Sequence, residues 1–347
     1  MAVKALSLKH GDTIGIVAPS WCGPAKYPKR VHRGVEFLES LGFHVVLGSN
    51  TFGERGVVSG TPAERVADIH EMFGNKEIRA VIAAIGGGHS CHLLPFLDWD
   101  LIGRNPKIFM GFSDITVLNL AIYKSASLHT FNGPMIMTDF GEEPQPIPYT
   151  IDHALQVLCQ SDPLGEIKPS AKWTDDFLHW ATDEVQTKPR ELITNSGWVW
   201  LKKGKGSGRL IGGCIESMEH LRGTPYWPDL EGAILFLETS EEAPTPMFID
   251  AILQDYENMG VFSQIVGLLV GRPSGYTVQQ REELRHVLLE RTGRYSFPIV
   301  SDMDFGHTAP MFTLPIGCEA AIDDDGKRFM ITEAAVTDSS LNSDWSK

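Results

Sequence analysis

Ser113, Glu238 and His307 are three side chains that together can run acyl transfer, and each stands where a fold presents a side chain. In Lys107-Ile-Phe-Met-Gly-Phe-Ser-Asp-Ile-Thr116 an apolar run ends at glycine and serine and a helical pattern begins. A serine on such a strand-to-helix turn projects its hydroxyl from the sheet edge, and Gly111 leaves room beside it. The following helix lends N-terminal N–H groups and its positive dipole end to a developing oxyanion. Gly-x-Ser-Asp nevertheless departs from the Gly-x-Ser-x-Gly of lipases, and serine followed by aspartate is also a common helix cap. The local motif therefore leaves both readings open.

A serine nucleophile needs a base, and His307 is the candidate because Asp304-Phe-Gly-His-Thr-Ala-Pro310 reads as a loop shaped by glycine and proline. The chain has 12 histidines, so a structural or merely exposed role competes. The base in turn needs an acid to fix its tautomer, and Glu238 ends the apolar strand Ala233-Ile-Leu-Phe-Leu237. A solvated strand-end glutamate is the alternative there. The order serine, glutamate, histidine is one of those known for such triads. Gly86 to Gly88 end another apolar strand and offer an N–H to an oxyanion hole, with that of Asp114 as the second donor.

The elements that must position these groups alternate between strand and helix through the first half, which predicts a mostly parallel sheet with helices on both faces. Strand patterns fall at Thr13 to Ala18, Phe43 to Leu47, Ala80 to Ile85, Lys107 to Gly111 and Leu128 to Phe131. Thr61-Pro-Ala-Glu64 combines an N-cap threonine, a first-turn proline and a capping-box glutamate. The glycine run and Ser113 thus fall at the C-terminal ends of consecutive strands, the edge where open parallel sheets bind ligands. Residues 144–197 are irregular and read as a connection carrying a substrate loop, after an N-terminal domain of 1–143. From 198 to 337 short apolar strands and two helices predict a second α/β or β-rich domain, and 338–347 reads as a polar, disordered tail.

Composition narrows the partners. The 347 residues are 42% hydrophobic, and 30 basic against 44 acidic residues give a formal charge of -14. That charge disfavours a nucleic-acid polymer or an anionic membrane surface, though not a small anionic ligand. The longest clean apolar run, Ala80 to Ile85, is far too short to span a bilayer, and no signal-peptide pattern is visible, so a soluble cytoplasmic protein is expected. Five scattered cysteines without Cys-x-x-Cys fit reduced thiols.

The ordered motifs Gly11-Asp-Thr-Ile-Gly-Ile-Val-Ala-Pro-Ser20, Ile85-Gly-Gly87, Gly111-Phe-Ser-Asp114, Gly208-Arg-Leu-Ile-Gly-Gly213, Leu235-Phe-Leu-Glu238 and Gly306-His-Thr-Ala-Pro310, the last followed by Leu314-Pro-Ile-Gly317, carry a resemblance. The chain resembles the LD-carboxypeptidase family of serine peptidases, in particular its microcin-immunity (MccF-like) branch, from Gly11 to about Thr332. The resemblance implies a flavodoxin-like N-terminal domain, a smaller swivelling α/β C-terminal domain and an active site between them. It implies Ser113 as nucleophile, Glu238 as orienting acid and His307 as general base, with the backbone of Asp114 and of Gly87, rather than Gly88, as oxyanion donors. It also implies a cytoplasmic homodimer without metal or other cofactor.

The substrate implied is either a muropeptide that loses its terminal D-residue or a peptidyl- or aminoacyl-nucleotide cleaved at its amide. Trp173-Thr-Asp-Asp-Phe-Leu-His-Trp180 resembles the loop that stacks a nucleobase in the second group, so Trp173 and Trp180 are expected to bind substrate. Glu242 stands where that group has a lysine able to meet the nucleotide's phosphate, and Cys214 replaces the usual asparagine after the paired glycines. Both positions bear on substrate choice. A non-catalytic two-domain binding protein, with Ser113 capping a helix over an anion, is the reading from another class. Among weaker motifs, His89-Ser-Cys-His92 lacks a partner cluster for a metal. Lys202-Lys-Gly-Lys-Gly-Ser-Gly208 reads as a basic hairpin turn, not a phosphate loop, and Asp323-Asp-Asp-Gly326 as a turn.

Overall fold

The computed structural model describes residues 2–176, 180 and 188–338. The sequence expectation for the tail therefore lies, from 339 onward, outside the described residues. Among the described residues there are sixteen strands: β1 (Thr13–Val17), β2 (His44–Leu47), β3 (Ile78–Ala83), β4 (Ile108–Met110), β5 (Thr130–Asn132), β6 (Gly165–Ile167), β7 (Lys172–Trp173), β8 (Ile193–Thr194), β9 (Val199–Lys202), β10 (Lys205–Cys214), β11 (Ile234–Glu238), β12 (Gly267–Gly271), β13 (Ile299–Met303), β14 (Leu314–Ile316), β15 (Glu319–Asp323) and β16 (Arg328–Ile331).

The first sheet runs β14-β5-β4-β3-β1-β2. Its parallel part, read from the far edge, is β2-β1-β3-β4-β5, the strand order of flavodoxin-like folds. Helices cover both faces, so β3 and β4 are almost entirely apolar instead of alternating. The helix Pro62–Gly74 starts on the capping box read from the sequence: Thr61 Oγ1 accepts from Glu64 N, and Glu64 Oε2 accepts from Thr61 N.

The second sheet runs β6-β16-β15-β10-β11-β12-β13-β9, with a parallel centre β10-β11-β12-β13 and antiparallel flanks. Cys214 and Glu238 lie side by side at the C-terminal ends of β10 and β11. The sheets are interleaved in sequence. β14, from the C-terminal half, closes the first sheet against β5, while β6, from within 144–197, edges the second.

One expectation is corrected. Lys202 to Gly208 does not turn a hairpin, because β9 pairs with β13 whereas β10 pairs with β11 and β15, so this run crosses between strands that are not neighbours. Asp323 to Gly326 does turn, between β15 and β16.

Candidate active site

Ser113 occupies the turn between β4 and the helix Thr116–Ala126 with φ of 61°, in the left-handed region that costs a non-glycine residue about 1–2 kcal/mol. Neither the short 3-10 turn Ser113–Ile115 nor the helix after it has a side-chain cap, so helix capping does not account for the serine. Gly86 explains how the turn fits its neighbour: a Cβ there would stand 3.0 Å from Ser113 Cβ and 3.1 Å from its Oγ. Gly87 follows at φ of 144°, where a Cβ would come within 2.6 Å of Ser20 Oγ and 2.9 Å of Trp21 N.

Asp114 ties the two loops together. Its buried carboxylate accepts from His89 N at 3.1 Å, Ser90 N at 3.0 Å and Ser90 Oγ at 2.8 Å. Ser20 Oγ accepts from His89 N as well. The glycine run is therefore held against the serine turn by hydrogen bonds that do not use Asp114's own N–H.

Glu238 ends β11 of the second sheet, and His307 lies on the segment that leaves β13 of that sheet for β14 of the first. Glu238 Oε2 lies 2.7 Å from Nδ1 of His307, whose side chain is only 7% exposed. Gly306, at φ of 96°, is needed for this approach, since a Cβ there would be 2.6 Å from Glu238 Oε2. The Phe112 ring meets the imidazole edge-on at 5.0 Å, bringing the serine turn and the histidine loop together. Burial alone would lower the His307 pKa, but the charge and hydrogen bond of Glu238, together with Glu241, hold it well above the ordinary value. Burial pushes the Glu238 carboxyl up, opposed by His307.

Two supports of this loop were not apparent from sequence. Buried Asp304 accepts from Arg272 Nη1 at 2.9 Å, Trp198 Nε1 at 2.8 Å, Asn195 Nδ2 at 3.0 Å and Ser170 N at 3.1 Å. Thr174 and Ala309 exchange backbone hydrogen bonds at 2.6 and 2.9 Å, fixing the chain two residues beyond His307. Glu241 is the other omission: its Oε2 lies 3.1 Å from His307 Nε2, an ion-pair distance without the alignment of a formed hydrogen bond.

Ser113, His307, Gly86, Gly87, Gly88 and Asp114 line one cavity of about 840 Å³, a size suited to a small ligand. Part of its lining is aromatic. Trp180 lies 6.2 Å from Trp21 and 5.8 Å from Tyr27, with the Arg30 guanidinium 4.6 Å from its ring centre. Arg30 and Arg190 both pair with Glu142 there, at 3.5 and 3.0 Å. Cys214 and Glu242 also line the cavity. Burial, then Glu238 and Glu216, push the Cys214 thiol well above the usual range, so it remains protonated.

The expectation for Trp173 is corrected. Its ring is buried away from the cavity, 4.5 Å from the Arg272 guanidinium and 5.1 Å from that of Arg281. Pairing of β7 with β8 and of Thr174 with Ala309 turns the indole to those two arginines. Residues 177–179 of the same loop lie outside the described residues. His89 and His92 meet edge-on at 5.4 Å, and among the described residues no group of three His, Cys, Asp or Glu is placed to hold a metal.

The LD-carboxypeptidase N-terminal domain model matches residues 14–133 and the LD-carboxypeptidase C-terminal domain model matches 207–322. The chain belongs to the LD-carboxypeptidase family. Membership makes it a hydrolase of the serine carboxypeptidase type. Over 95% of each chain it is 34% identical to the microcin C7 self-immunity protein MccF of Escherichia coli. It is 32% identical, over 97% of each, to a Bacillus subtilis protein named "Probable murein peptide carboxypeptidase". A structure of MccF in complex with aspartyl sulfamoyl adenosine superposes with a TM-score of 0.88 at 32% identity, over 96% of this chain and 100% of that one. Among the described residues no helix is long and apolar enough to cross a membrane.

Proposed function

We propose that this LD-carboxypeptidase-family enzyme cleaves the amide of a peptidyl- or aminoacyl-nucleotide with Ser113 as nucleophile, His307 as general base and Glu238 as orienting acid. The observation that carries the triad is an uncapped serine held in a left-handed turn, sharing a cavity with an imidazole whose Nδ1 is 2.7 Å from a buried carboxylate. Glu238 accepts from Nδ1–H, which leaves Nε2 to take the Ser113 Oγ proton as that oxygen attacks the carbonyl carbon. The N–H groups of Gly87 and Asp114 receive the oxyanion. His307 then returns the proton to the leaving nitrogen, and a water molecule repeats the sequence to free the acyl group and Ser113.

The aromatic part of the cavity lining favours the nucleotide substrate. Trp180, Trp21 and Tyr27 offer faces on which a base stacks for about 1–3 kcal/mol, and the relative MccF has been captured with two aminoacyl sulfamoyl nucleosides. Glu242 on the cavity wall favours the second reading, release of a terminal D-residue from a muropeptide, because a carboxylate repels a phosphate or sulfamate. Direct competition between an L,D-muropeptide and aspartyl sulfamoyl adenosine decides between them: preferential cleavage of the adenosine compound is expected, and cleavage of the muropeptide alone overturns the first reading. The enzyme is further proposed to act as a cytoplasmic homodimer, in keeping with five free cysteines and checked by light scattering of the purified protein.

A further inference from the structure

Glu241 has a role that the triad reading does not supply. Its side chain is 56% exposed, yet it turns back so that Oε2 lies 3.1 Å from His307 Nε2, the atom that must accept the serine proton. The loop behind it is pinned. Ser240 N and Oγ donate to Glu216 Oε1 at 3.0 and 2.6 Å, and the Tyr276 hydroxyl donates to Pro244 O. Movement of the carboxylate is therefore a side-chain rotation, open to it through solvent.

We propose that Glu241 is a substrate-displaced latch on the general base, which leaves Nε2 to pair with a free ammonium group on the acyl portion of the substrate. The inference rests on Ser113, His307 and Glu238 acting as the triad. In the substrate-free enzyme the Glu241 carboxylate favours an imidazolium that cannot act as base, the imidazole side of the contact being buried and the carboxylate side open to solvent. When the ammonium draws Glu241 away, the imidazolium loses one supporting charge and releases its Nε2 proton to water. Neutral Nε2 is then available for the Ser113 Oγ proton. The groups around this point are Glu238 at Nδ1 and Glu216 beneath the loop, and Glu242 and His220 line the same cavity. Three of these four are carboxylates, so an ammonium is the substrate charge that this wall accepts.

The test compares aspartyl sulfamoyl adenosine with its N-acetyl derivative in the wild type and in Glu241→Gln, across pH. The wild type should favour the free amine by about tenfold in kcat/KM, and the variant should treat the two alike. Glu241→Gln should also move the rising limb of the pH profile to lower pH and raise kcat/KM for the acetylated compound there, which a merely structural role would not do. A preference that persists in the variant, or equal losses on both compounds, overturns the proposal. If the enzyme cuts only muropeptides, the nucleotide reading fails and the same comparison is made with a tetrapeptide muropeptide and its N-acetylated form. If it cuts neither, NMR titration of the His307 ring decides: an imidazole that titrates alike in both proteins overturns the latch.

Discussion

The conformation of Ser113 separates a nucleophile from a helix cap more sharply than its motif does. A capping serine is extended and accepts an N–H of the first turn, whereas Ser113 sits at φ of 61° and caps neither the 3-10 turn nor the helix after it. Ser113→Ala should lower kcat by at least about 10³-fold while leaving substrate affinity measurable by calorimetry, and retained turnover would remove the serine from the mechanism. The raised His307 pKa gives a second expectation. The base works only when neutral, so kcat/KM must rise with pH as the imidazolium loses its proton, along a limb displaced above the ordinary histidine range. Glu238→Gln takes away a charge that supports the imidazolium. The limb should therefore shift to lower pH, while the plateau falls by about 10²–10⁴-fold because the tautomer is no longer held. A limb that stays in place would show that Glu238 does not act on His307.

Among the elements, the strand-end loops carried the most information in the sequence. Apolar runs that stop at Gly86, Ser113 and Glu238 announce both the strand and the side chain presented after it, and all of these lie at C-terminal strand ends. What was not legible depends on partners distant in sequence. Trp173 is turned away by Arg272 and Arg281, about a hundred residues later, and no local pattern distinguishes it from Trp180, which does reach the cavity. Glu241 reads as one of two exposed loop carboxylates until His307 is folded against it. The role of Asp304 likewise exists only through Ser170, Asn195, Trp198 and Arg272, gathered from three separate stretches of chain. The glycine loop gives a prediction at this scale. In Gly87→Ala the new methyl must clear Ser20 Oγ and Trp21 N at a backbone angle alanine resists, so the loop shifts and the Gly87 N–H leaves the position proposed for it at the oxyanion. Stability should fall by about 1–3 kcal/mol in urea titrations and kcat by about 10²–10³-fold, with KM much less affected. A loss confined to KM would place Gly87 in binding instead.

For the molecule as a whole, the site exists only where the two sheets meet, since Ser113 follows β4 of the first, Glu238 ends β11 of the second, and His307 lies on the segment that crosses from β13 of the second to β14 of the first. The fit between them is fixed beside the triad by Thr116, at the start of the helix that follows Ser113, and Gly213, near the end of β10. Thr116 Oγ1 accepts from Cys214 N at 3.0 Å, and a Cβ on Gly213 would lie 2.4 Å from both Thr116 Oγ1 and Cγ2. Gly213 also has φ of 154°, so alanine there is strained by backbone as well as by contact. Gly213→Ala should therefore push the sheets apart at this point and displace His307 from Ser113. A misplacement of about 1 Å is enough to lower kcat roughly 10²-fold, and the accompanying strain should destabilise the fold by about 1–3 kcal/mol. Thr116→Ala removes the two closest of these atoms, leaving Thr116 Cβ at 2.9 Å, but also the acceptor of the Cys214 N–H, so alone it should cost about 1 kcal/mol. Combined with Gly213→Ala it should restore part of the lost kcat, making the two substitutions non-additive. Strictly additive losses would show that the backbone angle of Gly213, not its approach to Thr116, sets the distance between the sheets.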